Sequence, residues 1–284
     1  MDHATKPYRS VLYIPGSKER ALEKAKGLPV DAIIFDLEDA VAPDEKANAR
    51  ALLAQTLAGG GYGDRVKLVR VNGLDTAWGA EDIAAFAASS ADALLIPKVA
   101  SAADLDTVAA IAPDKDLWAM IESPAGILHA EQIAAHPKMK GFVLGTNDLA
   151  KDLGARFRAD RLPLMTALQV ALLAARAHGV ICIDGVYNAF KDEDGLRAEC
   201  EQGRDLGYDG KSLIHPAQVA ITNAAFAPTQ DEIALAERQI EAFNQAKAAG
   251  QGVAVVDGKI VENLHVATAE ATLAKAAAIA RLEG

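Results

Sequence analysis

Eight short apolar runs recur along the chain, and a stretch of helical character separates each run from the next. They are rich in β-branched residues and leucine, lack polar alternation, and cover residues 11–14, 32–35, 68–71, 93–96, 117–121, 142–144, 181–183 and 208–213. Continuous apolar strands suit a parallel sheet that is covered on both faces, with helices as right-handed crossovers. Eight such units predict a closed (βα)8 barrel, the TIM-barrel fold of the α/β class.

The length and composition of the chain agree with this prediction but leave one alternative open. With 284 residues, 51% of them hydrophobic, the chain can bury the core of one large barrel or of two small domains. An open doubly wound sheet is the main alternative, because a short apolar run can also be a buried helix segment. We assign residues 1–227 to the barrel.

Residues 228–284 fall outside the eight units and form a C-terminal segment. Their pattern predicts a charged, alanine-rich helix over residues 230–249, a hairpin over residues 253–261 that turns at Asp257-Gly258, and a last helix to residue 281. This helix–hairpin–helix segment is either a structural tail or a lid over a site on its own or a neighbouring subunit.

The charge and the apolar runs exclude some classes of partner. A formal net charge of −10 disfavours a nucleic-acid-binding surface, and no stripe of Lys and Arg alternates with aromatic residues. No apolar run approaches the roughly 20 residues of a membrane helix, and the first ten residues lack the apolar region of a secretory signal. These features predict a cytoplasmic protein without a membrane or nucleic-acid partner.

Polar residues follow nearly every predicted strand, at the end of a barrel where active sites lie. Two of them, Glu122 and Asp148, follow the fifth and sixth strands, which are neighbours about 4.8 Å apart in a barrel, so both carboxylates can reach one cation. A pair of hard oxygen ligands favours Mg²⁺, with Mn²⁺ as a substitute, over zinc. The alternative is that both carboxylates only accept hydrogen bonds from helix N-termini; the surrounding polar loops favour the metal.

Basic residues at the other strand ends are candidates for binding an anionic substrate. Arg70 could hold a carboxylate with its planar fork, or it could form an ion pair with Asp36 or Glu38. We expect these two acids to orient Arg70, Lys98 or metal-bound waters.

The first loop, residues 15–20, is a weaker candidate for phosphate binding. Pro15 and Gly16 lead into a helix whose N-terminus could receive a phosphate, and Lys18 and Arg20 add positive charge. The same loop is also consistent with an ordinary helix start. His215 is either a general base or a capping imidazole.

At these residues the chain resembles the citrate lyase β-subunit-like family of the HpcH/HpaI aldolase superfamily, which includes malyl-CoA lyases. The matching stretches follow the family's order: Tyr13-Ile14-Pro15-Gly16-Ser17, Phe35-Asp36-Leu37-Glu38-Asp39, Arg70-Val71-Asn72-Gly73, Ile96-Pro97-Lys98-Val99, Ile121-Glu122-Ser123, Asp148-Leu149, Asp184-Gly185 and Gly210-Lys211 with Ile214-His215-Pro216. The resemblance implies Mg²⁺ on Glu122 and Asp148, Arg70 on the hydroxyacid part of the substrate, and CoA entering near residues 15–20. It also implies a homotrimer or hexamer in which each C-terminal segment caps a neighbour's site.

The family's lid motif, Gly-Lys-Met-Val-Asp, corresponds to Gly258-Lys259-Ile260-Val261-Glu262. In the lyases the motif's aspartate is taken to exchange a proton with the methyl group of acetyl-CoA. The extra methylene of Glu262 moves the carboxylate by about 1.5 Å, and a misplacement of roughly 1 Å can cost about a hundredfold in rate. The stretch Gly258–Leu264, together with the short N-terminus and the run Tyr187-Asn188-Ala189-Phe190, is most similar to the (3S)-malyl-CoA thioesterase branch. This resemblance implies hydrolysis to malate and CoA, with Glu262 as a candidate base.

Three other functions remain alternatives. A lyase could cleave malyl-CoA, methylmalyl-CoA or citramalyl-CoA with nearly the same residues. A citrate lyase β subunit would act on an acyl-carrier thioester. A barrel without catalytic activity would only bind CoA esters.

Overall fold

The computed structural model describes residues 6–283 and confirms the closed eight-stranded barrel. Its parallel strands are β1 (Ser10–Pro15), β2 (Ala32–Asp36), β3 (Val66–Arg70), β4 (Ala93–Ile96), β5 (Asp116–Ile121), β6 (Met139–Leu144), β7 (Ile181–Asp184) and β8 (Gly210–Leu213). The strands pair in chain order, and β8 closes the barrel on β1. The doubly wound alternative is therefore wrong, because an open sheet would leave these two strands unpaired with each other.

Helices follow the strands and cover the outside of the barrel. They are α1 (Glu19–Ala25), α2 (Lys46–Gly59), α3 (Gly79–Ala87), α4 (Ala102–Ile111), α5 (Pro124–Leu128), α6 (Ala130–Ala134), α7 (Thr146–Asp152), α8 (Met165–Ala177), α9 (Glu193–Leu206) and α10 (Val219–Phe226). Short 3₁₀ turns occur at Pro43–Glu45, Leu162–Leu164 and Pro216–Gln218.

The side chains of the strands form two apolar layers because successive residues of a strand point to opposite faces. One layer fills the barrel interior and includes Val11, Ile34, Leu68, Trp118 and Met120. The other layer, between the strands and the helices, is larger and includes Leu12, Ile33, Val69 and Phe142. The barrel is thus a packed core with a closed interior.

At the C-terminal ends of the strands, the positions that face the barrel interior hold polar side chains in place of apolar ones. Two residues beyond the interior positions of β1, β2, β3 and β5 come Tyr13, Asp36, Arg70 and Glu122. The same period of two that packs the interior therefore turns these four side chains toward the mouth of the barrel.

The chain from Ala227 onward belongs to a second compact unit, distinct from the unit Tyr8–Phe226 that holds the barrel. It contains α11 (Gln230–Ala248), an antiparallel hairpin of β9 (Ala254–Val256) and β10 (Lys259–Val261), and α12 (Asn263–Glu283). Asp257 and Gly258 join the two strands with φ of 50° and 74°. Positive φ at both central residues is the requirement of a type I′ hairpin turn, as the Asp-Gly sequence predicts.

None of the helices between residues 6 and 283 is long and apolar enough to cross a membrane. The sequence-based expectation about a secretory signal depends in part on residues 1–5, which lie outside the described residues.

Candidate active site

A cavity of about 350 Å³ lies at the C-terminal ends of the barrel strands. Its polar lining consists of Tyr13, Asp36, Asp39, Arg70, Glu122, Thr146, Asn147 and Asp148. Pro15, Met120, Val186 and Ile214 are among its apolar lining residues. The fold therefore brings together both predicted metal ligands, the predicted substrate-binding Arg70 and the acid Asp36.

Glu122 directly follows β5 and is only 3% exposed. Its Oε1 accepts a hydrogen bond from the backbone N–H of Lys98 at 2.7 Å. Its Oε2 lies against Gly145, where any Cβ atom would approach it to 2.5 Å, so a side chain at position 145 would displace the carboxylate. Glycine at the end of β6 thus leaves the space that Glu122 occupies.

Burial raises the pKa of Glu122 to about 7, although the Lys98 N–H acts in the opposite direction. The carboxylates of Glu38 and Asp148 raise this pKa further, and Arg70 lowers it. A shift from 4.5 to about 7 makes ionisation roughly 3 kcal/mol more costly than in water. A cation beside Glu122 would offset that cost.

Asp148 is the second carboxylate of the pair and lies in the first turn of α7. The ends of β5 and β6 are adjacent, since Ile121 pairs with Leu144. Two carboxylates on one cavity form an oxygen-only donor set of the kind that Mg²⁺ commonly uses. A larger cluster of His, Cys, Asp or Glu side chains that could hold a metal is absent from residues 6–283.

The planar fork of Arg70 is occupied by Asp36. Nε donates to Oδ1 at 2.7 Å and Nη2 donates to Oδ2 at 2.6 Å. Nη1 lies 2.9 Å from Glu38 and 3.3 Å from Asp39. Asp36 and Asp39 together accept three of the five guanidinium N–H bonds, and the ion pair with Glu38 Oε2 lacks hydrogen-bond geometry. The outer N–H of Nη2 is therefore left for another acceptor, as is one N–H of Nη1.

Asp36 and Glu38 act on neighbouring groups in different ways. Besides its two bonds from Arg70, Asp36 accepts the backbone N–H groups of Glu38 at 2.9 Å and Ala40 at 3.0 Å. Its acceptor capacity is therefore spent on Arg70 and on its own loop, which makes it a positioning residue. Glu38 accepts a hydrogen bond from Lys98 Nζ at 3.0 Å, and burial raises its pKa against the effect of Arg70.

Lys98 contacts two acidic residues, Glu122 and Glu38, and its backbone has a left-handed conformation with φ of 54°. Its N–H binds Glu122 and its ammonium binds Glu38, while its side chain is 61% exposed. A non-glycine residue in this conformation costs about 1–3 kcal/mol, and such strain is found mainly at functional sites.

The predicted CoA-binding loop is only partly at the cavity. Pro15 lines it, and the buried Gly16 donates its N–H to the Asp36 carbonyl at 2.8 Å. Lys18 and Arg20 are exposed and lie outside the lining. Helix α1, which starts at Glu19, has only seven residues.

Glu262 belongs to the second unit, where it precedes α12. Its N–H donates to His265 Nδ1 at 3.0 Å, and its carbonyl accepts the N–H groups of His265 and Val266. The Glu262 side chain is exposed. The residue therefore forms the N-terminal cap region of α12 and presents its carboxylate to solvent.

A buried ion cluster lies behind the ends of β7 and β8. Asp184 accepts hydrogen bonds from Arg161 Nη1 at 2.7 Å and from Lys211 Nζ at 3.1 Å, and Lys211 also binds Glu199 at 2.6 Å. Burial would raise the pKa of Asp184, but Lys211 and Arg161 outweigh burial and lower it. The sequence motifs include Asp184 and Lys211 but not Arg161 and Glu199, which come from a loop and from α9.

His215 caps the short 3₁₀ turn that follows it. His215 accepts the N–H of Ala217 on Nδ1 at 3.1 Å and its ring stacks on Phe190 at 4.5 Å, which is the capping arrangement.

Tyr13 lines the cavity, although it is not among the site residues predicted from the sequence. Counting every second residue from Val11 along β1 would have identified it.

A closed (βα)8 barrel with buried acids and an arginine at its mouth has the architecture of a barrel enzyme. Residues 9–216 match the family described as HpcH/HpaI aldolase/citrate lyase, and the chain belongs to this family. It is 67% identical to the (3S)-malyl-CoA thioesterase of Cereibacter sphaeroides over 280 residues, 99% of this chain and 98% of that protein.

More distant relatives include a lyase and a solved structure. The L-malyl-CoA/beta-methylmalyl-CoA lyase of Cereibacter sphaeroides is 33% identical, and the match covers 95% of both chains. The solved structure of CitE from Mycobacterium tuberculosis in complex with magnesium, acetoacetate and coenzyme A has a TM-score of 0.79 and 29% identity. The match covers 96% of this chain and 98% of that one.

Proposed function

We propose that this chain is a cytoplasmic, Mg²⁺-dependent thioesterase that hydrolyses (3S)-malyl-CoA to malate and CoA. The observation that carries the proposal is the 67% identity to a (3S)-malyl-CoA thioesterase along nearly the whole of both chains. The lyase relative matches at only 33%, which favours hydrolysis over carbon–carbon cleavage.

Glu122 and Asp148 would hold the Mg²⁺ in this proposal. A cation held there would supply positive charge to offset the negative charge of the substrate. The outer N–H of Arg70 donates to the substrate carboxylate, while Asp36 and Glu38 keep the guanidinium in place. Lys98 fixes Glu122 through its backbone N–H and binds Glu38 through its ammonium group.

Hydrolysis requires water to attack the thioester carbon. The water oxygen bonds to that carbon, the C–S bond breaks, and CoA leaves as the thiol with a proton that the water has lost. Glu262 positions this water or takes its proton, a general-base role. The CoA part extends past Pro15, where Lys18 and Arg20 supply exposed positive charge for its phosphates.

We further propose that the enzyme is a homotrimer or hexamer and that Glu262 acts in a neighbouring subunit's site. The hairpin supports this, since Val255 and Ile260 pair across its strands and are 66% and 60% exposed. Exposed apolar pairs of this kind favour contact with another protein surface. Sedimentation analysis tests the oligomer, and a monomer at micromolar concentration would contradict it.

Product analysis tests the reaction. Purified protein is incubated with (3S)-malyl-CoA and Mg²⁺, and free malate with CoA thiol is expected. Glyoxylate with acetyl-CoA as the dominant product would replace the thioesterase by the lyase. An isolated chain that acts on no CoA ester, but acts on an acyl-carrier thioester with its partners, would point to a citrate lyase β subunit.

Binding of Mg²⁺ is expected to weaken as the pH falls below about 7, because the proton on Glu122 must leave before the cation binds. The apparent affinity should fall up to about tenfold per pH unit below this pKa and level off above it. Mg²⁺ titrations at pH 6, 7 and 8, followed by the midpoint of thermal unfolding, measure the effect. Equal affinity at pH 6 and 8 would contradict the role of Glu122.

Substitution of Glu262 by Gln is expected to lower kcat by at least about a hundredfold, the usual contribution of a general base. Mg²⁺ affinity should not change, because Glu262 is not one of the two metal ligands. Glu270→Gln is the matched control, since Glu270 is an exposed glutamate of α12, the helix that Glu262 precedes. Equal activity of the two variants would remove Glu262 from the mechanism.

Mixing of variants tests whether Glu262 acts between subunits. Glu262→Gln and Glu122→Gln chains are unfolded together and refolded as mixed oligomers. Activity that neither variant has alone is expected, because some sites then combine an intact Glu122 with a neighbour's intact Glu262. Failure to recover activity in verified mixed oligomers would place Glu262 outside the neighbour's site.

A further inference from the structure

The hydroxyl of Tyr13 has a weak partner in the cavity. Tyr13 lies near the end of β1, and its oxygen is 3.3 Å from the Met120 sulfur. A thioether is a poor hydrogen-bond acceptor. The donor capacity of this hydroxyl is therefore little used within the protein.

The surroundings keep Tyr13 protonated and fix its ring. Burial raises the pKa of its phenol well above the usual value, and the carboxylates of Asp36, Glu122 and Glu38 raise it further, while Arg70 opposes them. The Arg70 guanidinium lies over the ring at 5.0 Å from its centre. At neutral pH the side chain is a rigid donor and not a base.

Two other donors among the described side chains of the cavity lining, on Arg70 and Asn147, already have oxygen acceptors. Arg70 spends its fork on Asp36. The Asn147 amide donates to Asn188 Oδ1 at 3.2 Å. The Tyr13 hydroxyl, whose partner is a thioether, is thus a donor that a bound ligand can recruit at little cost.

We propose that the Tyr13 hydroxyl donates a hydrogen bond to the thioester carbonyl oxygen of the substrate and stabilises the negative charge that forms there. This inference rests on the proposed function and assigns that reaction a further residue. As the water oxygen bonds to the carbonyl carbon, the carbonyl electron pair moves onto the oxygen. It returns when the C–S bond breaks, and the Tyr13 proton stays on Tyr13 throughout.

This role fits the requirements of charge stabilisation at a reacting carbonyl. A donor that is already oriented stabilises the developing charge without reorganisation, most effectively where water is excluded. The Tyr13 ring is held between the Arg70 guanidinium and the Met120 side chain, so the hydroxyl keeps its direction. Carbon–carbon cleavage would also place negative charge on this oxygen, as an enolate, so the role applies to either reaction.

Tyr13→Phe tests the proposal, because it removes one oxygen and keeps the ring beneath Arg70. A loss of about a hundredfold in kcat is expected, the usual cost of one such donor, with Mg²⁺ affinity and the KM for malyl-CoA little changed. Tyr62→Phe is the matched control: its hydroxyl donates to the Leu22 carbonyl at 3.1 Å, away from the cavity lining, and its loss should leave kcat unchanged. An unchanged kcat in Tyr13→Phe overturns the proposal.

Met120→Leu separates a direct role from a structural one. It removes the protein partner of the Tyr13 hydroxyl at nearly the same side-chain volume. A donor to substrate predicts a much smaller loss of kcat than in Tyr13→Phe. Equal losses in the two variants would mean that Tyr13 acts only through its contact with Met120, which overturns the proposal.

An infrared measurement tests the bond without turnover. The carbonyl band of acetyl-CoA with a ¹³C-labelled thioester carbon is recorded when bound to the Mg²⁺-loaded protein. A shift to higher frequency in Tyr13→Phe is expected, and an unchanged band overturns the proposal. If the wild-type protein releases glyoxylate instead of CoA thiol, the proposed function fails, while a slower glyoxylate release in Tyr13→Phe still supports the role of Tyr13.

Discussion

Replacement of Glu122 by Gln is expected to reduce Mg²⁺-dependent thioester hydrolysis by about a thousandfold or more, because charge stabilisation by a bound cation is worth several kcal/mol. Asp148→Asn should have an effect of the same kind. Asp152→Asn is the matched control, since Asp152 is an exposed aspartate one turn further along α7. The kcat/KM for malyl-CoA across a Mg²⁺ titration measures all three variants.

Loss of activity in Glu122→Gln should occur without loss of the fold. The pKa of Glu122 in the folded protein, about 7, lies above its ordinary value of 4.5. The metal-free wild-type protein therefore loses stability as the pH rises through about 7, and the Gln variant does not. Without Mg²⁺ at pH 8 the variant should be at least as stable as the wild type, but Mg²⁺ should raise only the wild-type unfolding temperature. Hydrolysis that still depends on Mg²⁺ in the variant would exclude Glu122 as a ligand.

The second large effect concerns stability and involves Lys211. Its side chain is fully buried and binds both Asp184 and Glu199. Lys211→Met leaves one carboxylate of the cluster without a compensating charge, since Arg161 alone then faces two acids. We expect the free energy of unfolding to fall by about 3–5 kcal/mol, measured by urea unfolding.

Removing the opposite charge should restore part of this loss. In Lys211→Met with Glu199→Gln, the cluster again contains one cation and one anion, Arg161 and Asp184. The two substitutions should therefore be far from additive. Arg158→Met is the control, because Arg158 forms an exposed pair with Asp160 and such pairs contribute about 0–1 kcal/mol. A loss below about 1 kcal/mol in Lys211→Met would show that the cluster is not a major source of stability.

The site was predictable from sequence to the extent that it depends on strand ends. Glu122 and Asp148 could be paired because neighbouring strands of a barrel bring their C-terminal residues together, and Ile121 does pair with Leu144. The structure also shows what the sequence left open for Arg70, whose fork binds Asp36. Choosing between a free and a paired guanidinium requires the positions of both side chains.

The sequence by itself determined the barrel, the helix–hairpin–helix order of the C-terminal segment and the turn at Asp257-Gly258. These features depend on short-range physics: apolar periodicity, strand spacing and the backbone preferences of single residues. Only the tertiary structure decided that the Tyr13 hydroxyl contacts the Met120 sulfur, that Lys98 binds Glu122 through a left-handed turn, and that Arg161 and Glu199 complete a buried ion cluster with Lys211. Such contacts join residues far apart in the chain, and no local pattern encodes which buried charge meets which.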